Sequence, residues 1–235
     1  MNRRISVLLA TGLMILISLG GCASSSKAVA QATSCDVPLT QAESMKLDLV
    51  EQSIKEGQYY SALAHLETDG STSPKAIWLK AEGQRKTGLL AEAYDSYRDL
   101  SLTCMNAYGH SGMAKILATR GDLPQARQQM LTARKLAPTN ADIRNDYGFI
   151  LLAHRQFKDA QREFMTALQL APGHPVAIRN MVMSLILDGD SRTAVRMAKN
   201  NGIDATEFKG LVSKANSFKQ PAFANSSSIK KGAPL

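Results

Sequence analysis

The sequence predicts an all-α protein, a right-handed superhelical solenoid of helix-turn-helix repeats with a C-terminal capping helix, and three observations lead there. Ala62, Ala93, Ala126, Ala160 and Ala194 recur at separations of 31, 33, 34 and 34 residues. Each carries the same neighbours: Tyr59, Leu90, Leu123, Phe157 or Ser191 lies three residues before it, and Gly57, Gly88, Gly121, Arg155 or Gly189 five residues before it. The segments between these markers carry helical apolar patterns. A period of this size marks a stacked array, in which each unit buries its apolar face only against its neighbours.

The clearest unit runs from Ala141 to His174, where Tyr147-Gly148, Leu151, Phe157, Ala160, Phe164, Ala167 and Pro172 match the tetratricopeptide consensus in order. The unit before it, Ala107 to Asn140, matches through Met113-Ala114, Leu117, Gly121, Leu123, Ala126, Met130, Ala133 and Pro138. Small residues at Gly148, Ala160 and Ala167 let two antiparallel helices approach, and large residues fill the remaining gaps. Gly121 and Gly189 break the chain between helices by allowing a positive φ. Asp122 is placed to cap the next helix, with Pro124 in its first turn, and Pro138 and Pro172 end second helices by restricting the residue before them.

Weaker units at about 43–73, 74–106 and 175–201 complete a repeat domain over 35–216. Atypical outer units are expected because they cap the stack. Asp204-Ala205-Thr206-Glu207 resembles a capping box, and Phe208, Leu211, Val212 and Ala215 follow at helical spacing, which predicts the terminal solvating helix.

The ends read differently. Arg3 and Arg4 precede an apolar run from Ile5 to Leu19, too short for a comfortable membrane span, so residues 1–21 read as a secretion signal. The junction Leu19-Gly20-Gly21-Cys22 resembles a lipobox, where cleavage leaves a lipid-modified Cys22 as the mature N-terminus. Two or more acyl chains, at about 0.8 kcal/mol per buried methylene, anchor stably where one does not. Ala23 is not the aspartate that commonly retains such proteins at the inner membrane, which favours the outer membrane, facing the periplasm. Residues 22–34 form the lipidated end and an Ala/Ser-rich tether, and 217–235, with Pro221, Ser226 to Ser228 and Pro234, reads as a disordered tail.

Removing the signal takes away two of 28 basic residues and none of 20 acidic ones, so the net charge falls from +8 to about +6. A periplasmic chain meets no nucleic acid, so the excess reads first as solvated helix faces, with anionic lipid headgroups, cell-wall polymers or an acidic partner as the other readings. With Cys22 set aside, Cys35 and Cys104 remain in an oxidising compartment and are expected to pair; the other reading is two separate thiols, with Cys104 packed at a repeat junction.

Signals for catalysis are nearly absent. Gly109-His110-Ser111-Gly112 has the wrong spacing for a nucleophile elbow and falls inside a repeat helix, where packing explains it. His65, His110, His154 and His174 are scattered and form no ligand cluster, and no Gly-rich phosphate loop is present. No metal, cofactor, small-molecule substrate or enzymatic activity is implied.

The concave groove of such a stack is lined by the first helix of each repeat. Its positions here are Trp78, Glu82 and Arg85; Tyr108, Ser111 and Lys115; Asn145, Phe149 and Leu152; and Arg179, Met183 and Ile186. This lining suits a protein partner that presents apolar anchors with some acidic or C-terminal carboxylate character. Trp78 and Phe149 could equally belong to the core or face a neighbouring repeat. The Lys and Asn pattern of carboxylate clamps does not appear.

The lipobox, the short array, Arg144-Asn145-Asp146-Tyr147-Gly148-Phe149 and Phe164-Met165-Thr166-Ala167-Leu168 together resemble the lipoproteins of tight-adherence (Tad, or Flp) pilus assembly, the TadD family. The resemblance implies a pilotin-like role, with the lipid carrying the scaffold to the outer membrane and the groove holding the pilus secretin. Type IV pilus pilotins, outer-membrane protein assembly lipoproteins and adaptors for peptidoglycan hydrolases are the neighbouring readings.

Overall fold

A computed structural model describes residues 38–219. The signal, Cys22, Cys35, the tether and the tail from residue 220 lie outside the described residues. The described chain is helical throughout: α1 (Gln41–Lys55), α2 (Tyr59–Asp69), α3 (Pro74–Lys86), α4 (Leu90–Leu100), α5 (Asn106–Thr119), α6 (Leu123–Leu136), α7 (Ala141–Ala153), α8 (Phe157–Leu170), α9 (Pro175–Leu187), α10 (Ser191–Asn200) and α11 (Ala205–Lys219). Successive helices pack as pairs, each pair against the next, and α11 packs on α9. None of the described helices is long and apolar enough to cross a membrane.

Local chemistry sets the helix ends. Thr40 and Glu43 form a reciprocal capping box at α1, and the side chains of Ser73, Asp122, Asn140 and Asp190 accept an amide in the first turns of α3, α6, α7 and α10. Pro124 and Pro175 sit in first turns, where a missing donor matters little. Gly57, Gly88, Gly121 and Gly189 all have φ between 82° and 90° at the turn inside a pair, and Arg155, at the same register position, adopts φ 60° without being glycine. The repeat geometry therefore dictates the left-handed turn, and glycine only makes it easy.

The five register alanines are completely buried at the helix crossings. The interior is continuous. One cluster fills α1 to α3 around Leu47 and Leu79, a second fills α3 to α5 around Tyr97 and Ile116, and the largest runs from α5 to α11 through Met130, Ile143, Phe164 and Val182. Trp78 packs against the first two clusters and Tyr94 against the last two.

α11 runs to Lys219, three residues past the boundary read from the sequence, because Phe218 continues the apolar face of Leu211 and Ala215. Asp204 Oδ1 accepts the amides of Thr206 and Glu207, both at 2.8 Å, to start the helix. The Glu207 carboxylate reaches outward to Arg179.

Candidate partner-binding groove

The first helices of three successive pairs, α3, α5 and α7, with the start of α9, enclose a concavity of about 260 Å³. Trp78 and Glu82 come from α3, Tyr108, Ser111 and Lys115 from α5, Asn145 and Asp146 from α7, and Val176 from α9. Spacings of three or four residues put the α3 set and the α5 set each on one face of its helix, whereas Asn145 and Asp146 are neighbours on α7. Trp78 and Tyr108 lie with ring centroids 5.9 Å apart and planes tilted by 57°. The Tyr108 hydroxyl accepts from Asn140 Nδ2 at 2.9 Å, which ties this aromatic wall to the N-terminus of α7. Trp78 is thus both a core residue and a lining residue.

An ionic network adjoins the wall. Arg85 pairs with Glu82 at 2.6 Å, the Tyr97 hydroxyl donates to the other Glu82 oxygen at 2.5 Å, and Lys115 pairs with Asp146 at 2.8 Å. Burial pushes the Glu82 carboxyl up, but Lys115, Arg85 and the Tyr97 hydrogen bond together hold it below the usual carboxylate range. Burial opposes the charge on Lys115, yet Asp146 and Glu82 raise its pKa, so it stays cationic. Burial and then the Glu82 carboxylate push the Tyr97 phenol up, which keeps it a donor. Three members of the network, Glu82, Lys115 and Asp146, themselves line the concavity, and each charge in it has a partner.

This pairing alters the expectation for the groove. Arg85, Lys115 and Arg179, the cations that suggested an acidic partner, are committed to Glu82, Asp146 and Glu207. Arg179 stands apart from the concavity and fastens α9 to α11. Met183 is a correction: it is 4% exposed, and Leu152 and Ile186 are buried with it. These three lie in the core cluster that Leu211 and Ala215 of α11 complete, so the capping helix closes the groove's far end. Phe149 is 37% exposed and meets Phe218 edge-on at 5.9 Å, beside a second concavity reaching Lys115 and Met130. Asn145 is buried and accepts from Asn180 Nδ2 at 2.9 Å, an amide link between α7 and α9.

Three contributors were not legible from the sequence. Asp142 and His174, 32 residues apart, meet at the edge of the concavity at 2.9 Å. Glu163, on α8, is buried between Arg144 at 2.8 Å and Arg134 at 3.0 Å, and Arg134 also lies over the Tyr147 ring.

Gly109 and Gly112 face α4 at close range, and Ser111 between them is buried. His110 Nδ1 contacts Gln129 Oε1 at 2.7 Å. The segment is a helix contact, as its spacing implied. Cys104, in the turn between α4 and α5, is disulfide-bonded, and its partner cysteine lies outside the described residues.

Paired helices at intervals of 31 to 34 residues, buried small residues at the crossings and a composite concave face define a tetratricopeptide-repeat solenoid, an all-α superhelical fold. No protein-family model matches the chain. Over 186 residues it is 29% identical to the TPR repeat-containing protein PA4299 of Pseudomonas aeruginosa, spanning 78% of this chain and 75% of that one. Among solved structures it is similar to TTC0263, a thermophilic TPR protein of Thermus thermophilus, with TM-score 0.62 and 19% identity over 74% of this chain and 97% of that one. MamA from Desulfovibrio magneticus RS-1 aligns with TM-score 0.50 and 12% identity, over 78% of this chain and 100% of that one.

Proposed function

We propose that this protein is an outer-membrane lipoprotein that scaffolds the assembly of a Tad/Flp-type pilus or secretion machine, holding a segment of the secretin in its concave groove. The observation that carries the binding role is the composite concavity, built by side chains of four successive first helices that no single repeat could supply. Its aromatic wall is rigidly backed, and rigid aromatic anchors dominate binding energy at protein interfaces. The address comes from Leu19-Gly20-Gly21-Cys22, and the choice of system from the resemblance at Arg144 to Phe149 and Phe164 to Leu168. The lipid supplies location and the groove supplies recognition, with no bond made or broken.

Affinity capture of the lipidated protein from envelope extracts, read by mass spectrometry, tests this. Recovery of a secretin is the expected result. Recovery of peptidoglycan hydrolases or outer-membrane assembly components without a secretin would replace the pilus reading. Separately, Cys22→Ala should leave the precursor unlipidated and absent from outer-membrane fractions; normal recovery there would sink the anchor.

A further inference from the structure

On the concave face one carboxylate stands without a cation among the described residues. Asp142, in the first turn of α7, has a side chain 77% exposed, and its one bonded neighbour among those residues is His174 Nε2 at 2.9 Å. His174 also caps α9, where its Nδ1 accepts the Ala177 amide at 3.1 Å. An accepting Nδ1 bears no proton, so the ring carries its one proton on Nε2, donates it to Asp142 and is neutral. Asp142 is therefore oriented by a hydrogen bond from His174, with no Lys or Arg paired to it among the described residues. The other carboxylates of the concavity differ: Asp146 faces Lys115, and both oxygens of Glu82 are used, by Arg85 and Tyr97.

Across the same concavity stand the Trp78 and Tyr108 rings, with Val176 at the rim. A carboxylate that shares a concavity with two aromatic rings matches a side chain with a long apolar stem and a cationic head: the stem packs on the rings, which also attract the cation, and the head meets the carboxylate. We propose that this concavity receives a lysine or arginine side chain of the partner's segment, with Asp142 holding the head and Trp78 and Tyr108 the stem. The proposal rests on the scaffold reading above and specifies its partner's chemistry. An acidic anchor finds no uncommitted cation among the described residues that line this place.

Trp78 is the only tryptophan of the chain, so its emission reports the concavity directly. The full chain is titrated with N-acetylated, C-amidated pentapeptides Ala-Leu-Xaa-Leu-Ala, with Xaa as Lys, Arg or Glu, up to about 5 mM, where weak single anchors bind. The Lys and Arg peptides are expected to give saturable changes, and the Glu peptide to bind at least about tenfold more weakly. Asp142→Asn, with unchanged thermal unfolding, should weaken the Lys peptide about fivefold, the upper range for a partly exposed charge pair. Val176→Lys, a change at an exposed rim position, should weaken it as well by supplying a competing cation. Equal or tighter binding of the Glu peptide, an Asp142→Asn variant that binds like the original, or no saturable response to any peptide would each overturn the proposal. Envelope capture that survives Asp142→Asn would overturn it while leaving the scaffold reading standing.

Discussion

Replacing Gly112 with alanine links the packing of the repeats to the groove. An added Cβ on Gly112 would lie 2.1 Å from Tyr97 Cδ1 and 2.2 Å from Cε1, far inside contact distance. Tyr97 cannot swing away freely, because its ring is completely buried and its hydroxyl donates to Glu82 at 2.5 Å. Overpacking of this kind costs about 1–3 kcal/mol, and losing a hydrogen bond to a charged group a further 1.5–3 kcal/mol or so. Alanine in a helix interior returns about 1 kcal/mol through propensity. The net is a destabilisation of about 1.5–5 kcal/mol. Gly210 on α11 is the matched control: a Cβ there meets nothing within 4 Å, so Gly210→Ala should gain up to about 1 kcal/mol. Urea unfolding followed by far-UV circular dichroism reads the two midpoints. A Gly112→Ala midpoint at or above the original would refute the packing argument and the coupling of Tyr97 to the groove.

Gly121→Ala should destabilise by about 1–2 kcal/mol although a Cβ there touches nothing, because φ is 83° and the penalty lies in the backbone; an unchanged urea midpoint would contradict this. Glu82 has a folded pKa below its unfolded value, so its contribution is present above the unfolded pKa and lost as pH falls through the folded one. Glu82→Gln should therefore flatten the acid limb of thermal stability below about pH 4.5, the ordinary carboxylate range, and lower stability at pH 7 by about 1.5–3 kcal/mol. An acid limb as steep as the original would count against that assignment. Cys104→Ser should lower the unfolding free energy by up to about 4 kcal/mol, the entropic value for a loop reaching Cys35. Peptide mapping under non-reducing conditions should recover Cys35 and Cys104 in one linked fragment.

Much of the architecture was legible because a tetratricopeptide repeat writes its geometry into single positions. A helix crossing that admits no side chain beyond a methyl selects alanine, and Ala62, Ala93, Ala126, Ala160 and Ala194 are completely buried there. A turn that needs positive φ selects glycine, and four of the five turns have it. Arg155 shows that register, not residue type, carried the information, since it takes the same conformation. Asp122, Pro124 and the Ala-Pro ends act within a few residues of themselves and were readable for that reason.

The groove was only half legible. Helical spacing predicted which residues share the concave face, and Trp78, Glu82, Tyr108, Ser111, Lys115 and Asn145 do line one concavity. Spacing says nothing about what stands opposite. Met183 satisfies the groove pattern of α9, but α11 folds over that face and buries it.

The 34-residue period, the turn glycines and the caps are local, and the sequence by itself determined them: a helical solenoid and about half of the residues that line its concave face. Only the tertiary structure decided the charge that this face offers. Lys115 meets Asp146 from the next repeat, Arg179 meets Glu207 from α11, and Asp142 meets a histidine whose other nitrogen is occupied. Such pairs join residues about one repeat apart through the stacking angle of the helices, a quantity that no window of sequence contains.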